Sequence, residues 1–159
     1  MDVKSRHHLR SDEIDELAAS LADNLGVDLE GAEYERVEFT DVDREVVLVD
    51  GEPLVASFDD DRFLTVRGAN AFPPDRNVVT VDSGAVSFVS DGANVMRPGI
   101  VDATDDIEPG DLVVVVEETH GKALAVGRAE SHGDDMLGDA GKVLSNLHHV
   151  GDDLYEFHA

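Results

Sequence analysis

Short apolar runs separated by turn-forming residues recur through most of this chain, and that rhythm leaves few folds open. Val46 to Val49 and Leu54 to Ala56 flank Asp50-Gly51, a pair suited to a two-residue hairpin turn. Val78 to Val81, Ile100-Val101 after Pro98-Gly99, Leu112 to Val116 after Pro109-Gly110-Asp111, and Ala123 to Val126 after Thr119 to Lys122 repeat the pattern. Gly141 opens Lys142-Val143-Leu144, and Gly151-Asp152-Asp153 predicts a last hairpin turn before a strand over Leu154 to Phe157. Such runs, bounded by Gly, Pro and Asp, predict strands; strands this closely spaced predict a small barrel in the second half.

The opening differs. Ile14, Leu17, Ala18, Leu21 and Leu25 recur at helical spacing and form one apolar face. Ser11 is placed to cap this helix, Asp12 and Glu13 suit its positive end, and Gly26 suits its stop. A second, short helix capped by Asp82 is predicted to carry Ala85, Phe88 and Val89 on one face and to end at Gly92. Pro53 is expected at a sheet edge, where its missing N–H leaves no ladder bond unmade. Phe63 to Val66 predicts another strand, and Phe72-Pro73-Pro74 breaks the pattern as a domain joint would. The expected fold class is α+β: a small α/β domain over 1-74, then a β-barrel domain over 75-159. The joint is too short for free tumbling, so a fixed interface is expected.

Charge decides which functions are open. Asp and Glu number 36 against 12 Lys and Arg, a formal net charge of -24, and only Lys4, Lys122 and Lys142 are lysines. The surplus is spread along the chain rather than gathered in a tail, as in Asp59-Asp60-Asp61, Asp105-Asp106 and Asp134-Asp135. A distributed acidic surface poor in Lys suits a halophilic protein in molar salt, where charges are screened beyond about 3 Å. In dilute buffer this charge would oppose nucleic acid; in molar KCl the repulsion is screened, and phosphate contacts weaken too. An RNA binder there must lean on shape, stacking and close hydrogen bonds. The one basic stretch is residues 1-10, where Lys4, Arg6 and Arg10 with His7 and His8 oppose Asp2 alone. It is a candidate anion contact.

Other chemistry finds little support. There is no Cys, hence no disulfide, thiolate metal site or thiol nucleophile. The 7 His, including the neighbours His148-His149, lack the spacing of a zinc motif, so no metal or other cofactor is expected. Carboxylates are too many to single out an acid/base couple, and the glycines form neither a Walker nor a dinucleotide loop. No apolar run approaches the roughly 20 residues of a membrane span, and the polar, basic N-terminus is unlike a secretory signal. The expectation is a soluble cytoplasmic protein without enzyme activity.

Val81 to Val86, Asp91-Gly92-Ala93-Asn94-Val95-Met96-Arg97-Pro98-Gly99-Ile100, Ile107 to Asp111 with the valine run, Ala123 to Gly127, and Gly141-Lys142-Val143 resemble, in order, the motifs of PUA domains. Lys4-Ser5-Arg6-His7-His8-Leu9-Arg10 before an acidic amphipathic helix, and a small β-rich domain joined to such a motif set, resembles the archaeal relatives of the malignant T-cell amplified sequence (translation machinery-associated) proteins. The resemblance implies a pre-PUA domain followed by a PUA pseudobarrel, and a non-catalytic role in translation. Eukaryotic members of that family act with density-regulated protein on the small ribosomal subunit.

PUA domains grip structured RNA beside their first short helix and the loop after it. By that resemblance Gly92, Ala93, Asn94, Arg97, Pro98 and Gly99, with Lys142, Val143 and His148 from the last strands, are the expected RNA-binding residues. Lys4, Arg6, His7, His8 and Arg10 are the expected ribosome or RNA contact. Arg97 is expected to be exposed, so that Arg97→Glu would weaken RNA binding without harming the fold. The implied partners are tRNA or rRNA, the small ribosomal subunit, and a second translation factor. The alternative is an RNA-targeting module acting in trans for a tRNA- or rRNA-modifying enzyme. One feature opposes tight phosphate binding: residues 76-156 hold 5 Lys and Arg against 16 Asp and Glu.

Overall fold

The computed structural model describes residues 1–159 and contains two antiparallel-rich sheets and four short or medium helices. The first sheet has the order β1-β2-β3-β4-β5, with β1 Val3–His8, β2 Tyr34–Phe39, β3 Glu45–Val49, β4 Glu52–Phe58 and β5 Asp61–Leu64. Helix α1, Ser11–Leu25, covers it, burying Leu17, Leu21 and Leu25. That is the apolar stripe visible in the sequence. Gly26 ends the helix in the left-handed conformation, as expected, but Ser11 is not its cap: Arg10 is the N-cap residue and makes no side-chain cap bond. Asp50 and Gly51 both take positive φ, 51° and 85°, which is the turn that matches the right-handed twist of a hairpin.

Two further expectations for this half are corrected, and one strand is new: the basic stretch 3–8, to which the sequence assigned no element, is edge strand β1, whose residues are exposed except for the partly buried Ser5. Pro53 lies not at an edge but in interior strand β4, buried, where the pairing with β3 shifts between Val47 and Leu48 and the ladder does not need its N–H. The strand expected over Phe63 to Val66 stops at Leu64, because Thr65 caps a helix: its Oγ1 accepts from Gly68 N while donating to Pro53 O. This helix, α2, runs Val66–Ala71.

The second sheet has the order β7-β11-β10-β9-β6-β8, with β6 Val78–Val81, β7 Val95–Met96, β8 Ile100–Ala103, β9 Leu112–Glu117, β10 Ala123–Ala129 and β11 Lys142–His149. Its two end strands, β7 and β8, are joined by the 3-10 turn Arg97–Gly99, so the sheet curls back on itself into a nearly closed barrel. Strand β9 is hydrogen-bonded to β10 and, in parallel, to β6, and both its faces are covered: Val113 and Val115 lie in the barrel core, Leu112 and Val114 in the core shared with the first half. Helix α3, Val86–Ser90, closes one end of the barrel through Val89. The barrel core gathers Val79, Val81, Val113, Val115 and Leu144.

The halves share apolar packing rather than touching lightly. Leu112, Val114, Ala123 and Val126 of the barrel pack into the same core as α1 and the first sheet. Residues after β11 return to that core too. The predicted final strand is instead helix α4, Asp153–Glu156, whose N-cap Asp152 accepts from Tyr155 N. Leu154 and Phe157 face the first sheet, with the Phe157 ring edge-on to Phe39 at 5.1 Å. Four residues spaced to bury positions one and four satisfy a helical turn, a geometry that the alternation of a strand would not supply.

Candidate RNA-binding groove and the inter-domain joint

Helix α3 and the turn leading into β8 form the walls of a groove of about 440 Å³. Ala85, Phe88, Asn94, Met96, Pro98 and Gly99 line it. Asp82 starts the α3 wall, its Oδ1 accepting from Ala85 N, as the sequence suggests. Gly99 passes so near the helix that an added Cβ would stand 3.0 Å from that of Ala85. Gly92 ends α3 at φ 96°, and a side chain there would meet the His149 ring at 2.9 Å. Only glycine satisfies both the backbone and the space.

The sequence places Phe88 on the packing face of α3, and the structure turns it out. Val89 is buried, whereas Phe88 is 67% exposed, and it is the only exposed phenylalanine of the six in the chain. Met96 beside it is 47% exposed. A five-residue helix shows too little periodicity for the sequence to reveal which side is covered.

The expected site residues divide. Gly92, Ala93, Asn94, Pro98 and Gly99 are brought together at the groove or its rim. Arg97 is not free to join them. Its Nε donates to Asp135 O at 2.9 Å, Nη1 to Ala140 O at 3.1 Å and Nη2 to Asp135 Oδ2 at 3.3 Å. The guanidinium thus clamps the loop between β10 and β11, and its side chain is 24% exposed. This corrects the expectation of an exposed Arg97. Arg97→Ala should speed amide exchange across residues 133–141 at least about tenfold, given roughly 1.5–3 kcal/mol for hydrogen bonds to a charged group. Unchanged exchange in that loop would sink the clamp assignment.

Lys142 pairs through Nζ with Glu130 at 2.9 Å, and Val143 is buried in the barrel core. His148 is corrected outright. It is fully buried at the joint between the halves, so its side chain contacts no RNA. Its Nε2 accepts from Val66 N at the start of α2 at 3.1 Å, and its Nδ1 lies 2.9 Å from both carboxylate oxygens of Asp152. A backbone amide can only donate, so Nε2 is bare and Nδ1 carries the proton. Burial pushes the imidazole pKa down, and the nearby Arg44 and His149 add to this, outweighing the upward pull of Asp152. Burial alone would raise the Asp152 carboxyl; the bonds from His148 and from the amides of His149 and Tyr155 overcome it, leaving a pKa of about 2.

The basic N-terminal residues form a separate surface on the first sheet. Lys4, Arg6, His7 and His8 lie exposed on edge strand β1, and Arg10 lies at the start of α1. Part of this charge is spent internally: Arg6 forks onto Glu35 at 2.7 and 3.0 Å, and Arg10 sits 3.2 Å from Asp12 and from Glu13.

The sequence reading also missed Asn146 of β11. Its Nδ2 donates to Val89 O at 3.1 Å and Ala93 O at 3.0 Å, pinning the chain that leaves α3. Its backbone N donates to Asn94 Oδ1 at 3.0 Å. No local signal marks it, because its partners lie more than fifty residues upstream.

With this geometry in hand, comparison with known proteins is direct. The PUA domain model matches residues 77–151. An uncharacterized protein of Methanocaldococcus jannaschii is 37% identical over 161 residues, spanning 99% of each chain. Translation machinery-associated protein 20 of Saccharomyces cerevisiae is 34% identical over 116 residues, 69% of this chain and 64% of that one. The crystal structure of a conserved PUA domain protein from Thermoplasma acidophilum superimposes with a TM-score of 0.83 at 29% identity, covering 95% of this chain and 97% of that one. The chain belongs to the PUA-domain family that includes translation machinery-associated protein 20 and malignant T-cell-amplified sequence 1.

Proposed function

We propose that this protein is a non-catalytic RNA-binding factor of the translation apparatus. It presents the α3 groove to a tRNA acceptor end or to rRNA at the small ribosomal subunit, and works in the cytoplasm. The observation that carries the reading is the groove itself: an open, apolar cleft with an exposed aromatic ring, placed in the segment that matches the PUA domain. Phe88 and Met96, exposed side by side in the groove, give a contiguous apolar surface that a partner can cover, and bases have flat faces to do so. The relatives named for the translation machinery supply the setting. The cations on β1 and at the start of α1 give a second surface for docking on the subunit.

The test is sedimentation of the tagged protein from native lysate in molar KCl, with the RNA in each fraction sequenced. Migration with small subunits is the expected result. A free protein carrying no RNA would overturn the reading. Migration with tRNA and a modifying enzyme would replace it with a targeting role in trans.

A further inference from the structure

With 36 carboxylates to 12 Lys and Arg, a basic side chain without an acidic partner is the exception in this chain. Most are ion-paired; Lys4, Arg44, Arg67, Arg76 and Lys122 are not. Arg76 still spends Nη1 on Asp23 O, at 3.1 Å, in a cleft beside α1. The other four follow one another across the joint between the halves. Lys4 and Arg44 line one cleft of about 490 Å³ on the first sheet. Arg44 stands over the Phe58 ring, 5.1 Å from its centre, and that ring lies 6.0 Å from the His148 ring. His148 Nε2 accepts from Val66 N. The next residue is Arg67, whose guanidinium stands over the Tyr155 ring of α4 at 5.2 Å. One turn further along α2, Asn70 Oδ1 accepts from Ala123 N at 2.8 Å, which brings Lys122 alongside.

Arg44 and Arg67 are both partly buried, and each is held by an aromatic face instead of a carboxylate. Stacking fixes the plane of the fork while its N–H groups stay unspent. The carboxylates whose charge reaches Arg44 are already engaged. Asp152 accepts from His148 and from the amides of His149 and Tyr155, and Asp59 stands 3.3 Å from Arg128. Burial draws the Arg44 pKa below its ordinary value, as it does for a charge with no counter-ion in contact. An anion from outside relieves that cost, and a planar fork fits a phosphate with two parallel hydrogen bonds. Salt screens a partly buried pair less than an exposed one, so these two forks keep more of their grip in concentrated KCl than Lys4 or Lys122.

We propose that Lys4, Arg44, Arg67 and Lys122 form a track across the joint that holds the phosphate backbone of a bound RNA, with the two stacked arginines as its fixed forks. This rests on the RNA-binding reading above and gives it a phosphate contact. The α3 groove has no Lys, Arg or His among its lining residues, so the phosphates of an RNA that reaches it must be met elsewhere on the molecule. Successive cations along one path match a chain that carries a charge at every residue.

The experiment is fluorescence anisotropy of the full chain with labelled tRNA and a labelled stem–loop of unrelated sequence, from about 0.5 to 3 M KCl. Each neutralised phosphate contributes roughly 0.7–0.9 to the slope of log K against log[KCl]. Replacing both forks, Arg44→Gln with Arg67→Gln, should make that slope shallower by about 1.5 and weaken both RNAs alike, by at least about tenfold at the lowest salt. Arg44→Lys keeps the charge without the planar fork, so it should keep the slope while losing about threefold or more. Lys122→Gln, at an exposed position with no internal partner, should by itself make the slope shallower by roughly 0.7–0.9, whatever the fork variants do to folding. Arg76→Gln removes one charge outside the track and should leave slope and affinity within about twofold of wild type. An unchanged slope in both the double variant and Lys122→Gln, or an equal loss from Arg76→Gln, overturns the track and leaves RNA binding standing. Failure of the wild-type chain to bind either RNA at any KCl concentration overturns both.

Discussion

His148→Ala should lower the stability of the folded chain by about 2–4 kcal/mol, the combined cost of a cavity and of buried partners left unsatisfied. In a chain of this length that is a fall of roughly 5–15 °C in Tm. The ring is fully buried and joins three segments that are remote in sequence: α2 through Val66 N, β11 through its own backbone, and the α4 cap through Asp152. Removing it orphans a helix-start amide and strips a half-buried carboxylate of one donor. His148→Leu restores most of the volume but neither hydrogen bond, so it should recover only part of the loss. Chemical denaturation of the three proteins at one KCl concentration measures this. A loss below about 1 kcal/mol for the Ala variant would show that the joint does not depend on the network.

The same residue sets an acid limit. The folded pKa of His148 is lowered, so its contribution is whole above the unfolded value near 6.5 and is lost as pH falls from there toward the folded value. Protonated Nε2 could no longer accept from Val66 N, and Arg44 and His149 would repel the new charge. Asp152 contributes a second, lower step: its stabilisation is present above the unfolded value near 3.8 and disappears as pH falls through about 2. Wild-type stability should therefore begin to decline below pH 6.5, and His148→Leu should lack that first decline. A wild-type profile flat from pH 7 to 5 would contradict the tautomer assigned above.

Salt should act on a scale comparable to the loss of His148. With 36 carboxylates and 12 basic residues, most of the acidic surface has no partner within the chain. Raising KCl from 0.1 to 2 M shortens the Debye length from about 10 Å to under 3 Å and removes most of that self-repulsion. A Tm increase of about 10 °C or more is expected, as several kcal/mol of relieved repulsion would give. An equal osmolarity of sorbitol should produce much less. A Tm independent of KCl, or one matched by sorbitol, would mean that the acidic surface is not an adaptation to salt.

How much of this was legible in the residues themselves follows from the range of the interactions concerned. The strands β3, β6, β9 and β10, the Asp50-Gly51 turn, the apolar face of α1 and its Gly26 stop are written in neighbouring residues, because alternation, turn dihedrals and helical spacing are local constraints. The ordered turn and strand motifs pointed to the PUA segment for the same reason, and with it to the glycines and Asn94 that wall the groove. What a given cation or imidazole does was not written there. Arg97 looks like any exposed arginine until the chain brings Asp135 to it from 38 positions away, and His148 looks like a surface histidine until Val66 arrives from 82 away. Phe88 reads as core until the fold leaves one side of a five-residue helix uncovered. Local sequence determined where the chain turns and pairs; long-range packing alone decided which polar groups were consumed in internal hydrogen bonds and which side chains were left exposed.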